Sequence, residues 1–434
     1  MIRKVKLITL FLLLLSLHLC AQNNSDHRKK IVLDSVISKI EKVYPFQEIS
    51  LKTINGLNEQ INSGYFDKTE TLNEFACKVT ESLEELSKDK HLDLIYNPEL
   101  AKILLADNSE ADVNYTIEEA KTELWNNYGF KELSILDGNI GYINLSVFFA
   151  TEYAGKKADI AMNFFSDCNA LIIDLRQNGG GWGDMVDYLL GYFIDYPSPL
   201  LLTITESNLD GSKYSEVVPQ YVPGEKLTDI PIYLLTSPVT ASAAESFTSH
   251  MKYFNKNVTI IGKRTKGAEN PVLHIALNED FILQIPGFKI LYSANPIGWE
   301  GVGINPDIDV PVKDAKRTAH LMALENLINS SQDNNAIYKY QWAIDGLKAG
   351  YDIVSVKNII KYSGKYDKIK VNYIDGKLYY QYAERPENLL IPISDDYFLV
   401  EGIDYFRVKF FSDKESVVMK LIYTYGYVKE IVRD

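Results

Sequence analysis

The sequence predicts an α/β core between a helical N-terminal cap and a C-terminal antiparallel β-domain. Three observations predict it. "NALIIDLR" (169–176) and "PIYLLTS" (231–237) are continuous apolar runs, the pattern of strands covered on both faces, and each leads through a turn of small residues into a helical pattern. Before about residue 105, apolar residues recur in steps of three and four. After about residue 335, they alternate with polar residues between turn signals.

The first stretch, "MIRKVKLITLFLLLLSLHLCAQNN", places Arg3, Lys4 and Lys6 before an apolar run from Leu7 to Leu19. A basic start, a short apolar run and a small residue before a polar start describe a secretory signal peptide, with cleavage after Ala21. The run is too short for an ordinary membrane span. Cys20 offers a lipid anchor, but His18 and Leu19 are poor neighbours for that processing, so a periplasmic or secreted bacterial protein is expected.

Residues 22–129 read as the helical cap. "IVLDSVISKIEKVYPF" is one helix, stopped near Pro45. "TETLNEFACKVTESLEELSK" is a second, with Leu72, Phe75, Ala76, Val79, Leu83 and Leu86 on one face and Asp67 with Glu70 as a capping pair. "TIEEAKTELWNNYG" (116–129) is a third.

Residues 130–330 read as the core. Asp137-Gly138-Asn139 joins two strand-like runs as a hairpin. The strand 169–176 is followed by the helix "MVDYLLGYFI", and the strand 231–237 by the helix "ASAAESFTSHMKYF". "VTIIG" and a run of short strands over 271–293 come next, then one more helix, "AHLMALENLINS". The alternation is that of a layered α/β fold. Residues 335–434 form the β-domain.

The formal net charge of -13 argues against nucleic-acid binding, because no basic stripe offsets phosphate repulsion. Beyond the leader, Cys77 and Cys168 have no zinc-like spacing, so no metal or other cofactor is expected, and a disulfide between them is allowed but not required.

Three stretches could carry chemistry. "TASAAESF" (240–247) puts Ser242 at a strand-to-helix turn among small neighbours, where the free N–H groups of a helix start favour developing negative charge. Close helix packing would explain the same residues. "DLRQNGGGWGD" puts Gly179, Gly180 and Gly181 after a buried strand, where a backbone without Cβ atoms can approach a ligand. A flexible turn is the plainer reading, and Asp174 with Arg176 reads as loop bracing. "SKDKHLDLIY" holds His91, which alone would be a surface or capping histidine.

Taken in order, "DKHL", "DLRQNGGGWG", "TASAAE", "GKRTKGAENP" and "WEGVGINPDI" resemble the serine peptidase family of C-terminal processing (tail-specific) proteases. Within it they are closer to the branch of tricorn protease and the interphotoreceptor retinoid-binding protein. The resemblance covers roughly residues 70–315. It implies a crotonase-like core of ββα units and an exported serine-type peptidase that cleaves peptide or protein substrates through an acyl-enzyme. In the tail-specific branch a lysine activates the serine, but the matching position here is Ala268, with Lys266 two places earlier. The tricorn-like branch implies instead Ser242 as nucleophile, His91 as base and Glu300 as the carboxylate that orients it. Gly180 or Gly181, with Ala243, is then implied as the oxyanion hole. Lys90 stands where tricorn-like sites carry a hydroxyl residue, and no segment is long enough for a peptide-reading domain between cap and core. Two alternatives follow: a catalytically silent binder of hydrophobic ligands or peptides on the same scaffold, and a Ser242–Lys266 dyad peptidase.

Overall fold

The computed structural model describes residues 28–106, 120–208, 210–293, 298–349, 358–412 and 416–434. The leader, with Cys20 and the cleavage position, lies outside them, as does the start of the helix expected over 116–129. Among the described residues, no helix is long and apolar enough to cross a membrane.

The cap is built from α1 (28–43), α2 (Gln47–Asn62) and α3 (Leu72–Ser87). Their apolar faces meet in a core that includes Val36, Ile40, Leu57, Phe75, Val79 and Leu83. The start of α3 differs from the Asp67–Glu70 pair expected. Thr71 is the N-cap and accepts from the Glu74 N–H, while the Glu74 carboxylate accepts from the Glu70 N–H. That reciprocal arrangement satisfies donors a helix start leaves free. The cap is also not wholly helical. After α3 the chain forms β1 (Asp93–Tyr96) and α4 (Pro98–Leu105). Of the helix expected over 116–129, residues 120–123 are helical and Leu124–Gly129 is a 3-10 turn with Asn127 and Tyr128 at positive φ.

A six-stranded sheet has the order β12–β8–β7–β4–β3–β2, from β2 (Phe130–Leu136), β3 (Ile140–Leu145), β4 (Ala170–Asp174), β7 (Ile232–Thr236), β8 (Val258–Gly262) and β12 (Ile308–Asp309). Every residue of β4 and β7 is buried, as their unbroken apolar runs require. Gly138 and Asn139, both at positive φ, make the turn between β2 and β3. Helices α5 (Thr151–Phe164), α6 (Gly183–Phe193) and α7 (Ala243–Phe254) follow β3, β4 and β7. Two smaller antiparallel sheets complete this region. In one, β1 pairs with β10 (Phe281–Pro286), which pairs with β9 (Val272–Ala276). In the other, β5 (Leu201–Ser207) lies between β6 (Lys213–Val217) and β11 (Phe288–Tyr292).

Two compact units divide the chain: Met1–Leu133 with Tyr142–Asp167 and Ile173–Lys313, and Ser134–Gly141 with Cys168–Ile172 and Asp314–Asp434. Among the described residues, the second unit holds two α-helices after residue 313, α8 (Ala315–Ser330) and α9 (Asn334–Lys348), where the sequence reading placed one. Its eight strands, between residues 364 and 432, each pair antiparallel with the next. So the β-structure begins some way after residue 335. Their core includes Tyr366, Val371, Leu378, Phe398, Val408 and Phe410. Cys77 is exposed, Cys168 is buried, and neither forms a disulfide.

Candidate active site

The turn after β7 is fixed before it reaches Ser242. Thr240 accepts from the Ser237 N–H and donates to the Leu175 carbonyl, and the Ala241 N–H donates to the Asn178 carbonyl. Ser242 then sits at φ 51° and ψ -122°, left-handed backbone that a residue with a Cβ adopts only when its surroundings enforce it. A strand, a strained turn and a helix start present the side chain clear of the backbone. The Ser242 N–H is held by the Ala268 carbonyl at 3.0 Å and the Glu245 carboxylate at 3.0 Å. The Ala243 N–H, at the first position of α7, has no acceptor among the described residues.

The glycine loop lies against this turn. A Cβ on Gly180 would stand 2.7 Å from the Ser242 Cβ and 3.1 Å from the Ala243 nitrogen, at a φ of +117°, so this position excludes every side chain. The Gly180 N–H donates to Asn178 Oδ1 at 2.9 Å, and the fully buried Asn178 donates in turn to the Leu145 carbonyl. The amide of Gly180 is therefore committed, whereas that of Gly181 has no acceptor among the described residues. Asp174 and Arg176 brace the loop: they form an ion pair at 2.6 Å, Tyr142 donates to Asp174, and Arg176 donates to the Val312 carbonyl.

Glu245, quoted in the sequence motif but given no role there, is fully buried. One oxygen accepts from the Thr265 hydroxyl at 2.5 Å and the Gly267 N–H at 2.7 Å; the other accepts from the Ala268 N–H at 2.8 Å and the Ser242 N–H. Burial pushes its carboxyl up, against the pull of those four donors. The signal was the serine–x–x–glutamate spacing of a capping box, which here reaches beyond its own helix.

His91 follows α3 through Lys88, a left-handed cap. Its ring is buried, with Nδ1 3.4 Å from Asp89 Oδ1 and 3.8 Å from Glu300 Oε2. Asp89, which the sequence reading passed over, also accepts from the His91 N–H at 2.9 Å and the Tyr44 hydroxyl at 2.7 Å. Burial alone would raise the Asp89 carboxyl, but the His91 ring and amide and the Tyr44 hydroxyl outweigh it and hold it below its usual range. Glu300 goes the other way. Burial, with the Asp89 charge beside it, pushes its carboxyl up to about 7, although Oε2 accepts from the Glu269 N–H at 2.7 Å. Both His91 ring nitrogens and Glu300 Oε1 are buried without a hydrogen-bond partner. The ligand atoms of Asp89, His91 and Glu300 lie within 4.8 Å of one another, close enough to hold a metal ion as well as to hold a proton between them.

One segment, residues 265–270, touches both halves. Ala268 binds the Ser242 N–H, the Glu269 N–H binds Glu300, and the Lys266 carbonyl accepts from the Lys90 ammonium at 2.8 Å. No hydrogen bond joins Ser242 to His91 among the described residues. Lys266 itself is exposed, and none joins it to Ser242 either. His250 bonds within its own helix to the Ser246 carbonyl, and His274 meets Gln284, which also donates to the His91 carbonyl. Ser242, Ala243 and Gly181 open on a cavity of about 290 Å³.

Residues 139–310, which contain the glycine loop, the Ser242 turn and Glu300, match the model of peptidase family S41. Over this core the chain is similar to peptidase family S41. Similar solved structures include a lipoprotein from Streptococcus agalactiae, 16% identical over 69% of this chain and 96% of that one, with a TM-score of 0.44. The photosystem II D1 C-terminal processing protease is 12% identical over 66% and 94%, at 0.42, and the tricorn protease 18% identical over 55% and 19%, at 0.29. His91 and Asp89 lie outside the stretch that the S41 model matches.

Proposed function

We propose that this protein is an exported serine peptidase of the S41 kind that cleaves peptide bonds with Ser242 as nucleophile, His91 as general base, and Glu300 together with Asp89 as the carboxylates that orient the histidine. The observation that carries the reading is the strained Ser242 at the mouth of a cavity, beside two backbone N–H groups, of Ala243 and Gly181, that have no acceptor. Ser242 Oγ attacks the scissile carbonyl as its proton passes to His91, forming the C–O bond. The carbonyl oxygen takes the negative charge and is held by the Ala243 and Gly181 amides; Gly180 serves by leaving room rather than by donating. His91 then gives the proton to the leaving amine as the C–N bond breaks, and water repeats the sequence to release the acid. Oriented neutral imidazole, with a carboxylate on Nδ1, presents Nε2 as the acceptor this needs. The basic and apolar leader supports export, with residues 22–129 as cap, 130–330 as catalytic core and 335–434 as an appended domain.

One observation favours a silent binding protein on the same scaffold: Ser242 and His91 share no hydrogen bond. Apo sites are often longer than the reacting complex, so mutation decides. Ser242→Ala and His91→Ala each lower kcat for peptide hydrolysis by roughly 10⁴-fold or more, with unchanged thermal unfolding. Full activity in either variant would sink the assignment, and a wild type that hydrolyses no peptide yet retains an apolar ligand would favour the binder.

A further inference from the structure

The cavity that Ser242 and Ala243 border is acidic on its other walls. Asp187 from α6, Glu216 from β6 and Glu269 from the 265–270 segment line it, and among the described residues that line it there is no lysine, arginine or histidine. Glu216 accepts from the Thr203 hydroxyl, and Glu269 from the Trp299 and Glu300 amides, so neutral donors hold these carboxylates in place without cancelling their charge. Asp187 has neither. Burial, then repulsion from Glu216 and Asp184, pushes it up to about 8. Tyr292 supplies a second, independent sign of a missing ligand. Its side chain is 6% exposed and lines the cavity, yet its hydroxyl has no hydrogen-bond partner among the described residues. Val186 and Ile290 add apolar wall between the cavity's polar groups. The volume is below the roughly 300–1,000 Å³ of pockets for drug-sized ligands and suits one long side chain.

Carboxylates gathered in a half-enclosed space with no counter-cation repel one another, and a cation that enters removes both the repulsion and part of the desolvation cost. Lysine and arginine carry such a charge on an apolar stem, which matches apolar walls and acidic groups in one cavity. We propose that this cavity is the specificity pocket of the peptidase and takes the lysine or arginine side chain of the residue whose carbonyl Ser242 attacks. The proposal rests on the reading of Ser242 as nucleophile and adds the substrate class. A free chain-terminal amine carries the same charge, and the test separates the two sources.

The test compares N-acetylated peptides identical but for lysine, arginine, norleucine or glutamate at the cleaved position. The wild type is expected to prefer lysine or arginine over norleucine by on the order of 100-fold in kcat/KM, and to reject glutamate more strongly. In Asp187→Asn/Glu216→Gln the lysine-to-norleucine ratio falls below about 10-fold. Equal rates for lysine and norleucine in the wild type, a ratio that survives in the double variant, or cleavage only of peptides with a free amine each overturn the pocket assignment. Calorimetry of the acetylated lysine peptide with Ser242→Ala keeps the two readings apart. Binding that the double substitution abolishes supports the pocket even if the wild type cuts nothing, which would count against Ser242 alone. Tighter binding of the norleucine peptide overturns the pocket whatever Ser242 does.

Discussion

Around Ser242, a buried carboxylate has every oxygen taken: Glu245 accepts four hydrogen bonds from the turn and from the segment that packs on it. Around His91, a second carboxylate has one oxygen bonded and one open, and the ring beside it has two buried nitrogens with no partner. The first region spends its polar groups on holding one backbone geometry. The second holds its carboxylates with fewer bonds and leaves Glu300 Oε1 and the two ring nitrogens of His91 without a hydrogen-bond partner. On the proposed roles, a nucleophile must be placed to a fraction of an ångström, whereas a base must be free to exchange a proton, so the two regions would solve different problems with the same residue types.

The comparison breaks most visibly at Glu245. Glu245→Ala leaves three buried donors without an acceptor and the Ser242 N–H with the Ala268 carbonyl alone, and is expected to cost about 3 kcal/mol or more of stability and to lower the unfolding midpoint by roughly 10 °C, with activity lost alongside. An unchanged midpoint in thermal unfolding would mean that the ring of bonds does not hold the turn.

At His91 the effects are kinetic. Glu300, at about 7, is neutral below that pH and charged above it, so only above it does it stabilise the imidazolium. The kcat/KM for an uncharged peptide therefore climbs as pH rises through about 7. Glu300→Gln moves that limb, and Asp89→Asn, whose carboxyl is held low, lowers the profile at all pH values. Each costs on the order of 10-fold to 100-fold, short of the ~10⁴-fold loss where a single carboxylate orients the histidine. A pH profile unmoved by Glu300→Gln would leave Asp89 as the sole partner.

The smallest effects belong to the lysines. Lys266→Ala stays within about 3-fold of wild-type kcat, because its main-chain carbonyl, not its ammonium, meets Lys90. Lys90→Ala loses one exposed hydrogen bond, worth about 1 kcal/mol or less. An inactive Lys266→Ala beside an active His91→Ala would turn the mechanism into a Ser–Lys dyad.

The strands β4 and β7 were legible because burial on both faces forces an unbroken apolar run, and the Ser242 turn because small residues must follow such a strand. α9 was not, since "NNAIYKYQWAIDGLK" is rich in aromatic residues that suit strands, and its helix state depends on the Asp333 cap and the burial of Ala343 and Ile344. The sheet of β5, β6 and β11 was not either: β11 follows β10 in sequence but pairs with β5, a choice no local pattern encodes. Asp89 and Glu245 were missed for a related reason. In sequence an acidic residue reads as solvated, and only the Tyr44 hydroxyl, or amides more than 20 residues away, make it a buried acceptor.

The 265–270 segment is the main-chain link between the half of the site made near residue 90 and the half made near residue 242. A chain that is still being synthesised has none of this assembled, because contacts between residues this far apart in sequence form late in folding. On the proposed roles, the two halves of the site come together only once the 265–270 segment has folded between them.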